Sequence, residues 1–135
     1  MAYSEWVEIR IYSENMEIKI KNIKLNWGKF YEGPNQDIEI TAPVLSDAVI
    51  KSGEKYTVWS CGRDGASSGT EGSFELYDGD TQVARFGWIC PWSGANSCSL
   101  IPGEQENKLY KTARQWSGLT SGPLGTITLS CVKLL

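Results

Sequence analysis

The 135 residues carry a formal net charge of −3 and no histidine, with 41% hydrophobic and 21% charged side chains. A chain of this length is read as one domain, 1–135, able to bury about two thirds of its unfolded surface around a single core. The acidic balance, with a pI near 5.0, argues against nucleic acid as a partner, whose phosphates need a basic face, and against simple attraction to anionic lipid.

The chain opens Met1-Ala2-Tyr3-Ser4-Glu5-Trp6, without a basic and then apolar leader, and no apolar run approaches a membrane span. The expectation is a soluble chain made in the cytoplasm without a signal peptide, with release and peripheral action on membranes left open. Val7, Ile9 and Ile11 alternate with Glu8, Arg10 and Tyr12, the period-2 pattern of a half-buried strand. After a turn at Ser13–Asn15, Met16, Ile18 and Ile20 alternate with Glu17, Lys19 and Lys21. The apolar phase then slips by one to Ile23, Leu25 and Trp27, which places a bulge or tight turn near Lys21-Asn22. Gly28–Asn35 reads as a loop, and Ile38 and Ile40 mark a short strand.

Ser52-Gly53-Glu54 makes a turn before the β-rich Tyr56–Cys61. Gly62–Gly72, with four glycines, reads as a surface loop with accessible amides. Asp78-Gly79 between Phe74–Tyr77 and Val83–Trp88 is a hairpin signal. Pro91, lacking an N–H, ends the second of these strands, and Ile101–Glu104 is another turn. Lys108–Trp116 admits a helix face but is read as strand, and Thr126–Val132 closes the chain as a strand. About nine short strands indicate an all-β, single-domain antiparallel β-sandwich rather than a barrel.

Catalytic chemistry has little to start from. Without histidine there is no Ser/His/Asp or Cys/His set, the hairpin accounts for Asp78 and Asp80, and Asp37 with Glu39 reads as a solvated strand face. The chain is therefore expected not to be an enzyme and to need no cofactor. Cys61, Cys90, Cys98 and Cys131 form no C-x-x-C pair, so buried thiols are expected rather than a metal site.

The aromatic residues say more. Of six tryptophans, Trp59 and Trp88 fall inside strands and read as core, whereas Trp6, Trp27 and Trp92 fall at strand ends. Strand ends gather at the rims of a sandwich, so these three can converge with the Gly62–Gly72 loop, or can simply close the core. If they converge, ring faces suit an alkylammonium while Arg63 and loop amides suit a phosphate, a zwitterionic head-group site. The same rim suits sugar stacking, which makes a lectin-like soluble-ligand binder the alternative.

Several blocks in one order carry a family likeness: Ala2-Tyr3 with Trp6-Val7, Leu25–Lys29, Asp37–Glu39, Cys61-Gly62-Arg63, Gly69-Thr70, Trp88–Trp92 and Gly122–Ile127. The sequence resembles the aegerolysins, small β-sandwich proteins of fungi and bacteria, and a bacterial member is the expectation. The resemblance implies binding to membrane sphingolipid, ceramide phosphoethanolamine or sphingomyelin, often in cholesterol-rich membranes. It also implies, for some members, action with a larger partner of the membrane-attack-complex/perforin type, as the lipid-recognising half of a two-component cytolysin. By position, Trp6, Trp27 and Trp92 match family tryptophans at the lipid-facing end, and Cys61 and Cys90 match recurrent cysteines. Ser68 stands where some fungal members have an acidic residue, and Ala95 where they have lysine. Arg63 and Ser68 join the three tryptophans as candidate lipid-binding residues.

Overall fold

A computed structural model describes residues 2–46 and 48–135 of the protein. The alternation that begins at Val7 becomes strand β1 (Trp6–Glu14), with Val7, Ile9 and Ile11 fully buried. Strand β2 (Ile18–Trp27) contains the anticipated slip: Asn22 takes φ 53° and the register against its neighbour shifts between Lys21 and Lys24. The extra residue turns Ile23 and Leu25 back toward the core and leaves Trp27 exposed at the strand end.

The stretch expected to be a loop after Gly28 is instead a hairpin of β3 (Lys29–Glu32) and β4 (Asn35–Ile40). Phe30 and Tyr31 drive it, since both are buried and strand pairing satisfies the backbone groups they carry inward. A short helix, α1 (Ala42–Ser46), and β5 (Val49–Ile50) lead to β6 (Lys55–Cys61). β7 (Thr70–Asp78) and β8 (Thr81–Cys90) form the Asp-Gly hairpin, with Gly79 at φ 61°. β7 begins at Thr70, so Thr70–Gly72 are ladder residues rather than loop. β9 (Ser97–Pro102), which composition did not reveal, is followed by β10 (Tyr110–Trp116) and β11 (Gly125–Lys133). The preference for strand over helix at Lys108–Trp116 therefore holds.

Two sheets face each other, β10-β11-β1-β6-β3-β4 and β5-β2-β7-β8-β9. Pairing is antiparallel with one departure from the expectation: β1 and β11, the first and last strands, run parallel from Val7↔Gly125 to Glu14↔Val132. Almost the whole sandwich serves as the crossover that a parallel pair requires. Phe74, Phe86 and Trp88 of one sheet pack as a ring cluster, and Phe30 of the other meets Trp88 edge-on at 6.3 Å. Trp59, read as core, lies half-buried on the outer face of the six-stranded sheet, because Val58 and Ser60 take the inward positions beside it. Its ring packs on Tyr31 at 5.7 Å. β2, β6 and β8 end, and β1, β7 and β11 begin, at one rim.

Candidate functional site: a cleft between two tryptophans

Beneath that rim a chain of fully buried polar groups joins the two sheets. Trp88 Nε1 donates to Thr70 Oγ1 at 3.0 Å, and Ser60 Oγ donates to the Lys29 carbonyl at 2.8 Å. With the Ser60 proton committed, the 2.6 Å contact between the two hydroxyls has Thr70 as donor. The order is Trp88 to Thr70 to Ser60 to Lys29, and no member is left with an unsatisfied donor. Thr70 entered the sequence reading only within the Gly69-Thr70 block and its loop, and Ser60 only as part of the Tyr56–Cys61 strand, because a threonine or serine in a strand gives no signal of what it bonds.

Thr70 is also the floor of a cleft of about 480 Å³, walled by Trp27 on one side and Pro91-Trp92 on the other, with Ser67, Ser68 and Gly69 between. Gly69 is required there: a Cβ on it would stand 1.8 Å from the Cys90 carbonyl oxygen, so only glycine lets the loop press against the end of β8. Trp27 is 59% exposed, Trp92 41% and Ile89, at the cleft edge, 43%. Among the described residues neither the Trp27 nor the Trp92 indole N–H has a protein partner, whereas those of Trp88 and Trp116 are bonded, to Thr70 and to the Leu124 carbonyl. One polar charge enters the cleft, Glu71, whose Oε2 accepts from Asn26 Nδ2 at 2.7 Å.

The loop that carries Trp92 is fastened from behind. Asn96, 6% exposed, donates its backbone N–H to the Thr120 carbonyl at 3.0 Å, and its Nδ2 reaches the carbonyls of Leu119, Gly122 and Pro123. These bonds tie the loop after β8 to the loop before β11 and set where the Trp92 backbone leaves the sheet.

Of the five residues expected to form one site, Trp27, Ser68 and Trp92 line the cleft together. Trp6 and Arg63 do not. Trp6 belongs to a separate depression of about 210 Å³ with Tyr31, Pro34, Gln36 and Trp59, on the outer face of the six-stranded sheet. Arg63 makes a two-pronged pair with Glu39, 2.9 and 2.8 Å, and its hydrogen bonds hold the Glu39 carboxyl below the usual carboxylate value. A guanidinium so engaged is not a free phosphate clamp.

The cysteines are unpaired thiols. Burial pushes Cys61 and Cys90 up to about 11 and Cys131 to about 12, so none of the three is a thiolate near neutrality. Among the described residues no cluster of three or more His, Cys, Asp or Glu side chains is arranged to hold a metal. What the cleft offers is aromatic faces, hydroxyls and one carboxylate.

A family model described as Aegerolysin matches residues 4–134. The chain belongs to the aegerolysin family. It is 37% identical to ostreolysin A6 of Pleurotus ostreatus, over 98% of each chain, and 35% identical to Asp-hemolysin of Aspergillus fumigatus, over 93% of this chain and 91% of that one. Among solved structures, IP-1A from Alcaligenes faecalis is similar at 41% identity and a TM-score of 0.92, covering 99% of this aegerolysin and 94% of that chain. The RahU protein, solved with a Tris molecule, is similar at 34% identity and TM-score 0.90, covering 99% and 98%. The lipid-binding protein Nakanori, at 13% identity and TM-score 0.62 over 98% of this chain and 72% of its own, shares the fold. The expectation of a bacterial member is not borne out by the curated relatives, which are fungal, although the Alcaligenes structure is among the similar ones.

Proposed function

We propose that this aegerolysin binds sphingolipid head groups at the surface of cholesterol-containing membranes, with ceramide phosphoethanolamine preferred over sphingomyelin. The observation that carries the proposal is the pair of exposed tryptophans, their N–H groups without a partner among the described residues, on either side of a hydroxyl-lined cleft at a rim. An indole suits the membrane interface, its ring in the apolar zone and its N–H among head groups. Ring faces attract an ammonium group, and the Glu71 carboxylate beside them favours one that keeps its own N–H donors, as ethanolamine does and choline does not. Ser67 and Ser68 hydroxyls remain for the phosphate, since Arg63 is held by Glu39. Names of relatives such as Asp-hemolysin support a membrane target.

Among the described residues no helix is long and apolar enough to cross a membrane. We assign pore formation, where it occurs, to a larger partner of the membrane-attack-complex/perforin type that this chain recruits to lipid. Co-sedimentation of such a partner only with lipid-bound protein supports the assignment, and equal recovery without lipid removes it.

The test of the main proposal is pelleting with cholesterol-containing vesicles that carry ceramide phosphoethanolamine, sphingomyelin or phosphatidylcholine alone. Recovery should fall in that order. Equal recovery from the phosphatidylcholine vesicles contradicts sphingolipid recognition, and stronger recovery with sphingomyelin reverses the head-group preference.

A further inference from the structure

The cleft does not end at Glu71 and Ile89. Both residues also line a second cavity of about 380 Å³ that runs away from the rim along the outer face of β7, β8 and β9. Phe86 and Trp88 point inward, so Gly87 between them is the floor of this trench, flanked in the ladder by Ser73 on β7 and Ser99 on β9. Lys24 and Asn26 stand on the β2 side, and Arg85 stands farther along β8.

The side chains in the trench have hydrogen-bonding capacity to spare. Among the described residues neither Lys24 nor Arg85 enters an ion pair. Glu75 lies directly across the ladder from Arg85, but its Oε1 accepts from Tyr77 and Gln82 instead. The lining thus sets two cations, Lys24 and Arg85, against one carboxylate, Glu71, with Glu75 just outside it, and is dense in donors and acceptors. A carboxamide, a carboxylate, a guanidinium, an ammonium and serine hydroxyls spread around an uncharged floor match the alternating donors and acceptors of a sugar ring.

Length supports the same conclusion. From Ile89 to Arg85 is four residues of strand, roughly 13 Å at about 3.3 Å per residue. Phosphoethanolamine does not span that distance, and a glycosyl head group does. Direction agrees as well: with the tryptophan rim on the bilayer, the trench runs up the side of the sandwich, the way a sugar projects from a membrane.

We infer that the cavity over Gly87 is a saccharide subsite continuous with the tryptophan cleft, and that the protein also takes sphingolipids whose head group carries an uncharged sugar. This rests on the head-group reading of the cleft. Gly87 supplies a clean test. A Cβ there meets only the Gly72 carbonyl oxygen at 3.6 Å and Ser73 Cβ at 3.9 Å, ordinary contacts, so a larger side chain fills the trench without disturbing the strand. The experiment is pelleting of the whole protein, Gly87→Tyr and Arg85→Ala with cholesterol vesicles that carry lactosylceramide, ceramide phosphoethanolamine or phosphatidylcholine only.

The wild type should bind lactosylceramide vesicles above the phosphatidylcholine background. Each variant should lose about tenfold there, the equivalent of one hydrogen bond to a charged group, while keeping ceramide phosphoethanolamine binding within about twofold. Binding to ceramide phosphoethanolamine without lactosylceramide overturns the subsite alone, as does lactosylceramide binding that Gly87→Tyr leaves intact. Failure on both lipids overturns the head-group reading with it. Success on lactosylceramide alone keeps the subsite and removes the phosphoethanolamine preference. Unfolding of Gly87→Tyr, read by near-ultraviolet circular dichroism, transfers the decision to Arg85→Ala, whose side chain is exposed.

Discussion

Tyr110 at one rim of the sandwich and the Trp27–Trp92 pair at the other are treated in opposite ways. At the rim where β7 ends and β10 begins, Tyr110 is 2% exposed and its hydroxyl donates to Asp78 Oδ2 at 2.8 Å, an oxygen that Lys133 also reaches at 3.0 Å. The polar end of Tyr110 is matched, and its ring closes the core. At the other rim Trp27 and Trp92 are exposed, their N–H groups have no protein partner among the described residues, and the space between them is open. Closing a core with an aromatic residue is a stabilising arrangement. Leaving two indoles wet gains nothing for the fold, which is why we propose that rim as the ligand's place.

The contrast yields its largest effect in binding. Trp92→Ala should weaken association with ceramide phosphoethanolamine vesicles by about thirtyfold, the loss typical of a central aromatic anchor. Thermal melting should barely move, because the ring is half in solvent. A folded variant that binds as well as the wild type takes Trp92 out of the site.

Next comes the buried chain that supports the open rim. Thr70→Val keeps the shape but leaves the Trp88 N–H and the Ser60 hydroxyl oxygen short of a partner, at a cost of about 1–3 kcal/mol in denaturant unfolding. Unchanged stability would mean that the Trp88–Thr70–Ser60 order is wrong.

At the closed rim the readout is pH. Burial works to raise the Asp78 carboxyl, but the hydrogen bonds from Tyr110 and Lys133 outweigh it and hold the group below its ordinary value. A group depressed in the folded state contributes stability at pH above its unfolded value, and that contribution disappears as pH falls through the folded one. Stability should therefore drop on acidification below the usual carboxylate range, with a shallower drop in Asp78→Asn and no change in lipid binding at neutral pH. Identical acid profiles would show that Asp78 is not the group responsible.

Smallest of all should be Arg63→Ala. An exposed ion pair contributes at most about 1 kcal/mol, and the guanidinium faces Glu39 rather than the cleft. Vesicle binding should stay within about twofold, by the same small magnitude. A large loss would return Arg63 to the head-group site.

How much of this was legible in the sequence depends on how local each signal is. The alternation of Val7, Ile9 and Ile11, the slip at Asn22 and the Asp78-Gly79 hairpin are written in neighbouring residues, and the structure reproduces all three. Phe30-Tyr31 was hidden because the flanking Gly28 and Gly33-Pro34 read as loop, although the pair between them is core. β9 was hidden by Ser97, Ser99 and Pro102, which suit an edge strand facing water yet carry no apolar pattern. The parallel pairing of β1 with β11 joins the chain's two ends, which no local pattern encodes.

In the site, Trp27 and Trp92 were found together because both lie at strand ends on one rim, and Ser68 entered through the family likeness. Trp6 lies near the same rim but on the other sheet's outer face, since β1 turns that side away from the cleft, and Arg63 is claimed by Glu39 across the chain. The trench over Gly87 left no trace in the sequence, because a glycine in a strand shows what it omits only when its neighbours are in place.

The claim that the tryptophan rim is the membrane-facing end is tested most directly by fluorescence quenching with brominated lipid in ceramide phosphoethanolamine and cholesterol vesicles. The wild type should be quenched on binding, whereas Trp27→Phe/Trp92→Phe, bound at saturating lipid, should lose most of that quenching because none of its remaining indoles is exposed in the cleft: Trp88 is buried beneath it, and Trp6 and Trp59 lie on the other sheet's outer face. Quenching of the double variant equal to that of the wild type would contradict the assignment and place the membrane against another face.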